Sequence, residues 1–286
     1  MPELPEVETM VRGLRPALEG RTVDRMELHD PSLLQGCTAE EFAARGVGVR
    51  VARVGRRGKW VVVELADRGM IVIQPRMTGG FWLVDPPRPE HVRLTFRLAN
   101  PEASIWFCDA RRLGRIIRFD GPEDAEAAFA RAHGPDALTI ARDDLAARLK
   151  RTRRGIKPTL MDQKVLAGIG NIYADEILFQ SRLHPLQVSA ELTAREVDRL
   201  HAAIEPVLAR AIAAEGSSFD AGYRTVLGLE GGFLAVNSMY GRAGEPCKGC
   251  GTPVQKTKIA GLIGRPTYLC PTCQPFRKPR SRKSTT

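Results

Sequence analysis

Apolar side chains at Val7, Met10, Val11, Leu14 and Leu18 recur with helical spacing, and Pro5 with Glu6 suits a first turn, so residues 6–18 are predicted to open the chain as a helix. The pattern then changes. Seven short runs, VRVARV, KWVVVEL, GMIVIQ, FWLVD, HVRLTFRL, ASIWFCD and GRIIRF, are alternating or continuously apolar and are separated by Gly, Pro, Asp or Asn. Strands at such close intervals, with no helix between them, predict an antiparallel sandwich or barrel. After Pro122 the helical period returns over 123–133, 143–151, 158–167, 172–180 and 193–214, with breaks at His184-Pro185 and Gly216-Ser217. Residues 217–236 are rich in glycine and lack a period, which predicts a long, mobile loop.

A chain of 286 residues is long for one core and comfortable for two compact domains of roughly 100–150 residues each. With 43% hydrophobic and 27% charged residues it reads as a globular protein and not as a disordered or fibrous one. No apolar run approaches the ~18–20 residues of a membrane span. The start MPELPEVETM has no basic segment followed by an apolar one, so no export is expected and the protein is placed in the cytoplasm.

Charge narrows the partner. The formal net charge is +10, and nearly all of the excess lies after residue 240. Two further basic stretches, RVARVGRRGK at 50–59 and KRTRRGIK at 150–157, contain no acidic residue. Such clusters point to nucleic acid. A solvated basic face is the plainer alternative.

Four of the six cysteines form two pairs, Cys247-x2-Cys250 and Cys270-x2-Cys273, 19 residues apart. Two such knuckles can set four thiolates tetrahedrally around one structural Zn²⁺. Disulfides are the rival, but they do not suit a reducing compartment. Cys37 and Cys108 stand apart and carry no such signal.

Removal of Met1 before a small residue would leave Pro2 as a free secondary amine. Its pKa, near ~8, leaves an appreciable fraction nucleophilic at neutral pH. Attack on an aldehyde-level carbon gives a cationic iminium, which acidifies the neighbouring carbon. Glu3 and Glu6 supply carboxyls beside that amine, although an acid near a helix N-terminus is also favoured by the dipole alone.

Together with RRGKW at 56–60, DARRLG at 109–114, DQKVLAGIGNIYADE within 156–185, YGRAGEPC at 240–247 and the closing CPTCQ, the MPELPEVE start resembles the formamidopyrimidine-DNA glycosylase family almost from end to end. The resemblance implies an α+β multidomain protein. It would have an N-terminal antiparallel β-sandwich with a flanking helix over 1–125, a helix–two-turn–helix domain over 135–236 that includes the lesion loop 217–236, a zinc ribbon over 237–275 and a basic tail over 276–286. It implies a bifunctional glycosylase and AP lyase acting as a monomer on damaged double-stranded DNA, with zinc as its one cofactor. Within the resemblance, Pro2 is the Schiff-base nucleophile, Glu3 the general acid, Glu6 a second acid near the site, and Lys59 and Arg265 contact phosphates and assist elimination. Met77, Arg111 and Leu113 fill the gap left by the flipped nucleotide, and His91, Arg153, Lys157, Asn171 and Tyr240 are further DNA contacts. Asn171 is also placed to cap the helix that follows it.

Three departures stand out. Leu113 replaces the family's Phe and forfeits stacking, Arg76 stands where a small residue is usual, and the interval between the cysteine pairs is about three residues longer than usual. Oxidised-pyrimidine specificity on the same fold, or a non-catalytic zinc-ribbon protein that recognises damage, are the alternatives to oxidised-purine excision.

Overall fold

The computed structural model describes residues 2–99, 101–219, 222–259, 262 and 264–278. The chain divides into two compact units, Met1–Ala132 with Ala211–Leu234, and His133–Arg210 with Ala235–Thr286.

The first unit opens with helix α1 (Leu4–Leu18), followed by β1 (Thr22–Leu28), β2 (Leu34–Gln35), α2 (Ala39–Ala44), β3 (Val49–Arg57), β4 (Trp60–Leu65), β5 (Met70–Gln74), β6 (Gly79–Trp82), β7 (Val92–Leu98), β8 (Ala103–Asp109), β9 (Arg115–Phe119) and α3 (Pro122–Ala132). The strands pair in the order β2-β9-β5-β4-β3-β1-β7-β8-β6, antiparallel throughout except for β2 with β9. The two halves of this array enclose one core. Val7, Met10, Val11, Leu14 and Leu18 of α1 pack there with Val51, Val61 and Val63 from one half and Leu94, Phe96 and Phe107 from the other. Each side chain so buried contributes about 1.5–3 kcal/mol, so the apolar stripe of α1 is anchored along its length. Strands β1 and β2 were not legible in the sequence. In β1 only Val23 and Met26 are buried, and a register shift between Val23 and Arg25 breaks the alternation.

The second unit contains α4 (Arg142–Lys150), α5 (Ile156–Leu160), α6 (Asn171–Gln180), most of α7 (Ala194–Ala213) and the ribbon strands β10 (Gln255–Thr257) and β11 (Thr267–Leu269). The helix expected over 158–167 is only Ile156–Leu160. Beyond it the Gln163 side chain takes over as a local brace, donating to the Met161 and Ile169 carbonyls at 2.9 and 2.8 Å and accepting from Gly168 N–H at 3.0 Å.

Of the glycine-rich loop, the described residues up to Leu234 belong to the first unit and residues 235–236 to the second. Gly232 N–H donates to Ala214 O at 2.8 Å and Phe233 N–H to Gly216 O at 3.0 Å, which closes the mouth of the loop. Tyr223 and Val226 enter the core of the first unit, which anchors the loop at these points. Of the basic tail, residues 279–286 lie outside the described residues, while Arg277 pairs with Glu196 at 3.1 Å. Among the described residues no helix is long and apolar enough to cross a membrane.

Candidate active site and metal centre

Pro2 is buried and immediately precedes α1, whose N-cap is Glu3. Glu6, 1% exposed, reaches in two directions: its Oε2 accepts from Glu3 N–H at 2.8 Å and its Oε1 from Ser217 N–H at 2.8 Å. One carboxylate therefore ties the N-terminal turn to the start of the loop 217–232. Gly216 makes this possible. Its φ is +83°, and a Cβ there would lie 2.9 Å from both Cγ and Oε1 of Glu6. Burial and the nearby Glu6 push the Tyr223 phenol up from its ordinary pKa, so it stays protonated and donates to Glu215 O at 3.0 Å.

Lys59 sits with Gly58 in the two-residue turn between β3 and β4, closed by the Arg57–Trp60 pair. Gly58 has φ +55°, the left-handed conformation such a hairpin demands at its first turn position. Arg56 braces the turn by donating to Gly58 O at 2.9 Å and to Glu8 Oε2 of α1 at 3.0 Å, so the hairpin carrying Lys59 is fastened to the helix that follows Pro2.

Met77, Arg111 and Leu113 lie on two loops, β5–β6 and β8–β9, and all three are exposed. Arg76 and Arg112 beside them adopt left-handed φ of +58° and +54°. His91 is half-buried and opens, with Trp82, Arg88 and Arg224, onto a cavity of about 510 Å³. Cys108 also lines it, with burial pushing its thiol up to about 12, which keeps it protonated.

In the second unit Lys157, Asn171 and Tyr240 come together around the ribbon hairpin. Lys157 Nζ pairs with Asp175 Oδ1 at 2.8 Å, with neither side chain exposed, and also donates to Pro266 O at 3.1 Å and Thr267 Oγ1 at 2.9 Å. Its expected DNA contact is thus corrected: the ammonium is enclosed and holds the hairpin. Burial pushes the Asp175 carboxyl up to about 7, opposed by Lys157 and by the Tyr268 N–H, which donates to Oδ2 at 3.0 Å. Asn171 is the first residue of α6, and Gly170 is the N-cap. The Asn171 amide donates instead to Pro266 O at 3.0 Å and Tyr240 Oη at 3.4 Å. Arg265, exposed and adjacent to Pro266, projects from the segment these residues fasten. Glu176 completes the frame by accepting from the N–H groups of Ser238, Met239 and Tyr240 at 2.7–3.0 Å. Asp175, Glu176 and Ser217 were not singled out in the sequence. A pair of acids within the apolar run NIYADEILF was the available signal, since buried acids require partners.

The basic stretches prove to be largely paired internally. Arg53 meets Glu64, Arg56 meets Glu8 and Arg57 meets Glu126, at 2.6–3.0 Å. Arg153 meets Glu191 at 2.6 Å and Arg154 meets Asp162 at 2.7 Å. Charge counted along the chain therefore overstates what these stretches offer a polyanion, although Arg153 stays 60% exposed.

The four cysteine sulfurs all lie within 4.8 Å of one another, with Cys247 to Cys273 at 3.9 Å and Cys250 to Cys270 at 3.5 Å. Zn–S bonds of about 2.3 Å in a tetrahedron separate the sulfurs by roughly 3.8 Å, so the cluster fits one Zn²⁺ held by Cys247, Cys250, Cys270 and Cys273. Gly249 and Cys273 N–H groups donate to the Cys247 and Cys270 sulfurs, as thiolate ligands accept. Gln274 locks the second knuckle to the helical part, accepting from Cys270 N–H at 3.0 Å and donating to Leu183 O at 2.8 Å.

Family models match in three consecutive stretches: the formamidopyrimidine-DNA glycosylase N-terminal domain over residues 1–116, its H2TH domain over 132–221, and the zinc finger found in FPG and IleRS over 244–275. A formamidopyrimidine-DNA glycosylase from Chloroflexus aurantiacus is 40% identical, over 96% of this chain and 98% of that one. The chain belongs to the formamidopyrimidine-DNA glycosylase family. As a member it is an enzyme of DNA repair, a DNA glycosylase with AP lyase activity and a zinc ribbon. The crystal structure of the MutM (Fpg) protein from Thermus thermophilus is similar with a TM-score of 0.84 at 38% identity, covering 96% of this chain and 98% of that one. The Lactococcus lactis glycosylase of this family, solved in complex with a Fapy-dG containing DNA, is similar with a TM-score of 0.84 at 30% identity, covering 96% and 100%.

Proposed function

We propose that the enzyme excises oxidised purines, chiefly 8-oxoguanine and formamidopyrimidines, from duplex DNA and then cuts the strand by β- and δ-elimination through an iminium on Pro2. The observation that carries this reading is the N-terminal turn, where Glu6 holds the Glu3 N–H, next to buried Pro2, and the Ser217 N–H on a single carboxylate. With Met1 removed, the Pro2 amine attacks C1′ of the damaged nucleotide, and the C1′–base bond breaks as the base leaves. Glu3 gives its proton to the sugar ring oxygen as the ring opens, and the amine's own proton, lost as the iminium forms, goes to the departing base. The iminium draws electrons from C2′, whose proton is lost as the 3′ phosphate leaves; a second elimination releases the 5′ phosphate.

Lys59, on the hairpin braced to α1, and Arg265, on the segment fastened at Pro266, serve as phosphate contacts. Arg153 and His91 add phosphate contacts, and Tyr240 and Asn171 act by holding the ribbon segment. Zinc, when bound to the four cysteines, keeps the ribbon folded and has no open position for chemistry. The enzyme works as a monomer on the DNA of the cytoplasm. Met77, Arg111 and Leu113 fill the gap beside the flipped nucleotide; Leu113 supplies apolar filling in place of aromatic stacking.

A duplex with 8-oxoguanine opposite cytosine tests the reading. Free base and a one-nucleotide gap bearing phosphate on both ends are expected. Release of base that leaves an uncut abasic strand would contradict it.

A further inference from the structure

Thr78 and Asp109 join the two loops that carry Met77 on one side and Arg111 with Leu113 on the other. The Asp109 side chain is fully buried and receives three donors: the Thr78 hydroxyl and the Arg111 N–H on Oδ1, and the Gly114 N–H on Oδ2 at 2.7 Å. The Arg111 N–H also reaches Thr78 Oγ1 at 3.1 Å, so this hydroxyl both donates and accepts. Behind the carboxylate, Arg93 donates from Nε to Asp109 O at 2.9 Å and from Nη1 to Glu90 O at 3.0 Å, which adds the turn before His91 to the same anchor. The two glycines that flank the clasp leave little slack. A Cβ on Gly79 would lie 2.2 Å from Pro75 O, and one on Gly114 would crowd Asp109 Oδ2, Phe107 and Gln74 O at 3.1–3.2 Å.

We infer that Thr78 and Asp109 are positioning residues that make the two exposed loops a single rigid wedge, and that through it they set the enzyme's preference for the base opposite the lesion. Neither residue touches the reacting atoms. A loop held only by its strand ends could place Met77 and Arg111 independently; a shared buried carboxylate allows one relative placement. Threonine is suited to the task because its oxygen links the Met77 loop to Asp109 and to the Arg111 backbone at once, and no aliphatic side chain can do either. The inference rests on the reading that Met77, Arg111 and Leu113 enter the duplex.

The test compares single-turnover excision of 8-oxoguanine opposite cytosine and opposite adenine in wild type, Thr78→Val, Thr78→Ala, Thr78→Ser, Arg111→Ala and the Thr78→Val/Arg111→Ala double variant. The ratio of the two rates, unlike either rate alone, is insensitive to the fraction of folded enzyme. T78V and T78A should lower the cytosine-to-adenine ratio by roughly five- to tenfold, the effect of one lost hydrogen bond expressed in the barrier. T78S should restore it, and the double variant should match R111A, because both changes act through one element. A wild-type ratio in T78V and T78A, with a collapsed ratio in R111A, would overturn the clasp while leaving the wedge intact. A wild-type ratio in R111A would instead remove the reading on which the clasp rests, and the clasp with it.

Discussion

Lys157 Nζ lies 2.8 Å from Asp175 Oδ1, and water reaches neither side chain. Burying two charges is costly, and the pair is held because its remaining valences are filled from the ribbon hairpin by Pro266 O, Thr267 Oγ1 and Tyr268 N–H. Removing one partner strands the other. Lys157→Met should destabilise the second unit by about 3–5 kcal/mol, whereas the Lys157→Met/Asp175→Leu double variant should recover part of that loss. Urea denaturation of both variants checks this, and a double variant less stable than the single one would contradict the pairing.

Glu6→Gln retains one oxygen but turns an NH2 group toward a backbone N–H, either that of Glu3 or that of Ser217. The repulsion and the lost charge-assisted bond should cost about 1–3 kcal/mol. Amide exchange at Glu3 and Ser217 should accelerate while exchange in β4 and β5 stays slow. Equal protection of Ser217 in the variant would show that the loop is held by other contacts.

The zinc ribbon predicts a metal dependence of a definite kind. One zinc per chain is expected, and Cys250→Ala should release it and weaken duplex binding while the apolar core of the first unit remains folded by near-UV circular dichroism. Binding by the metal-loaded enzyme should fall linearly on a log–log plot against salt. A flat salt dependence would exclude phosphate contacts as the main source of affinity.

His184 provides a pH test. Its ring packs edge-on against Phe276 with centroids 5.0 Å apart, its Nδ1 accepts from Leu186 N–H, and burial lowers its pKa below the ordinary 6.5. The folded state therefore favours the neutral ring, while the unfolded chain takes up a proton as the pH falls below 6.5. Stability from this group is full above that pH and is lost progressively below it until the folded-state pKa is passed. Thermal midpoints between pH 7 and 5 should fall more steeply in wild type than in His184→Asn, which keeps an acceptor and does not titrate.

Features set by local periodicity or spacing were legible in the sequence. The stripe of α1, seven strands of the first unit, the helical segments and the four cysteines all belong to this class. What was not legible depends on partners distant in the chain. Asp175 meets a backbone N–H of residue 268, and Glu6 meets one of residue 217; a backbone donor leaves no mark in the residue types. The internal pairing of the basic stretch 50–59 was hidden for the same reason, since the acids that meet Arg56 and Arg57 are Glu8 and Glu126. Lys157 is expected as a DNA contact because nothing in IKP announces that a buried aspartate 18 residues on will enclose it. Asp109 stood inside a quoted motif without a role because its work is to bind two loops that only the fold brings together.

The central claim is that Pro2 is the nucleophile, and it has a direct measurement. Borohydride added during turnover of an 8-oxoguanine duplex should reduce the iminium to a stable amine and leave the protein covalently joined to DNA, and peptide mapping should place the adduct on residue 2. An adduct on Lys59, or no covalent complex while strand cutting proceeds, would contradict the account.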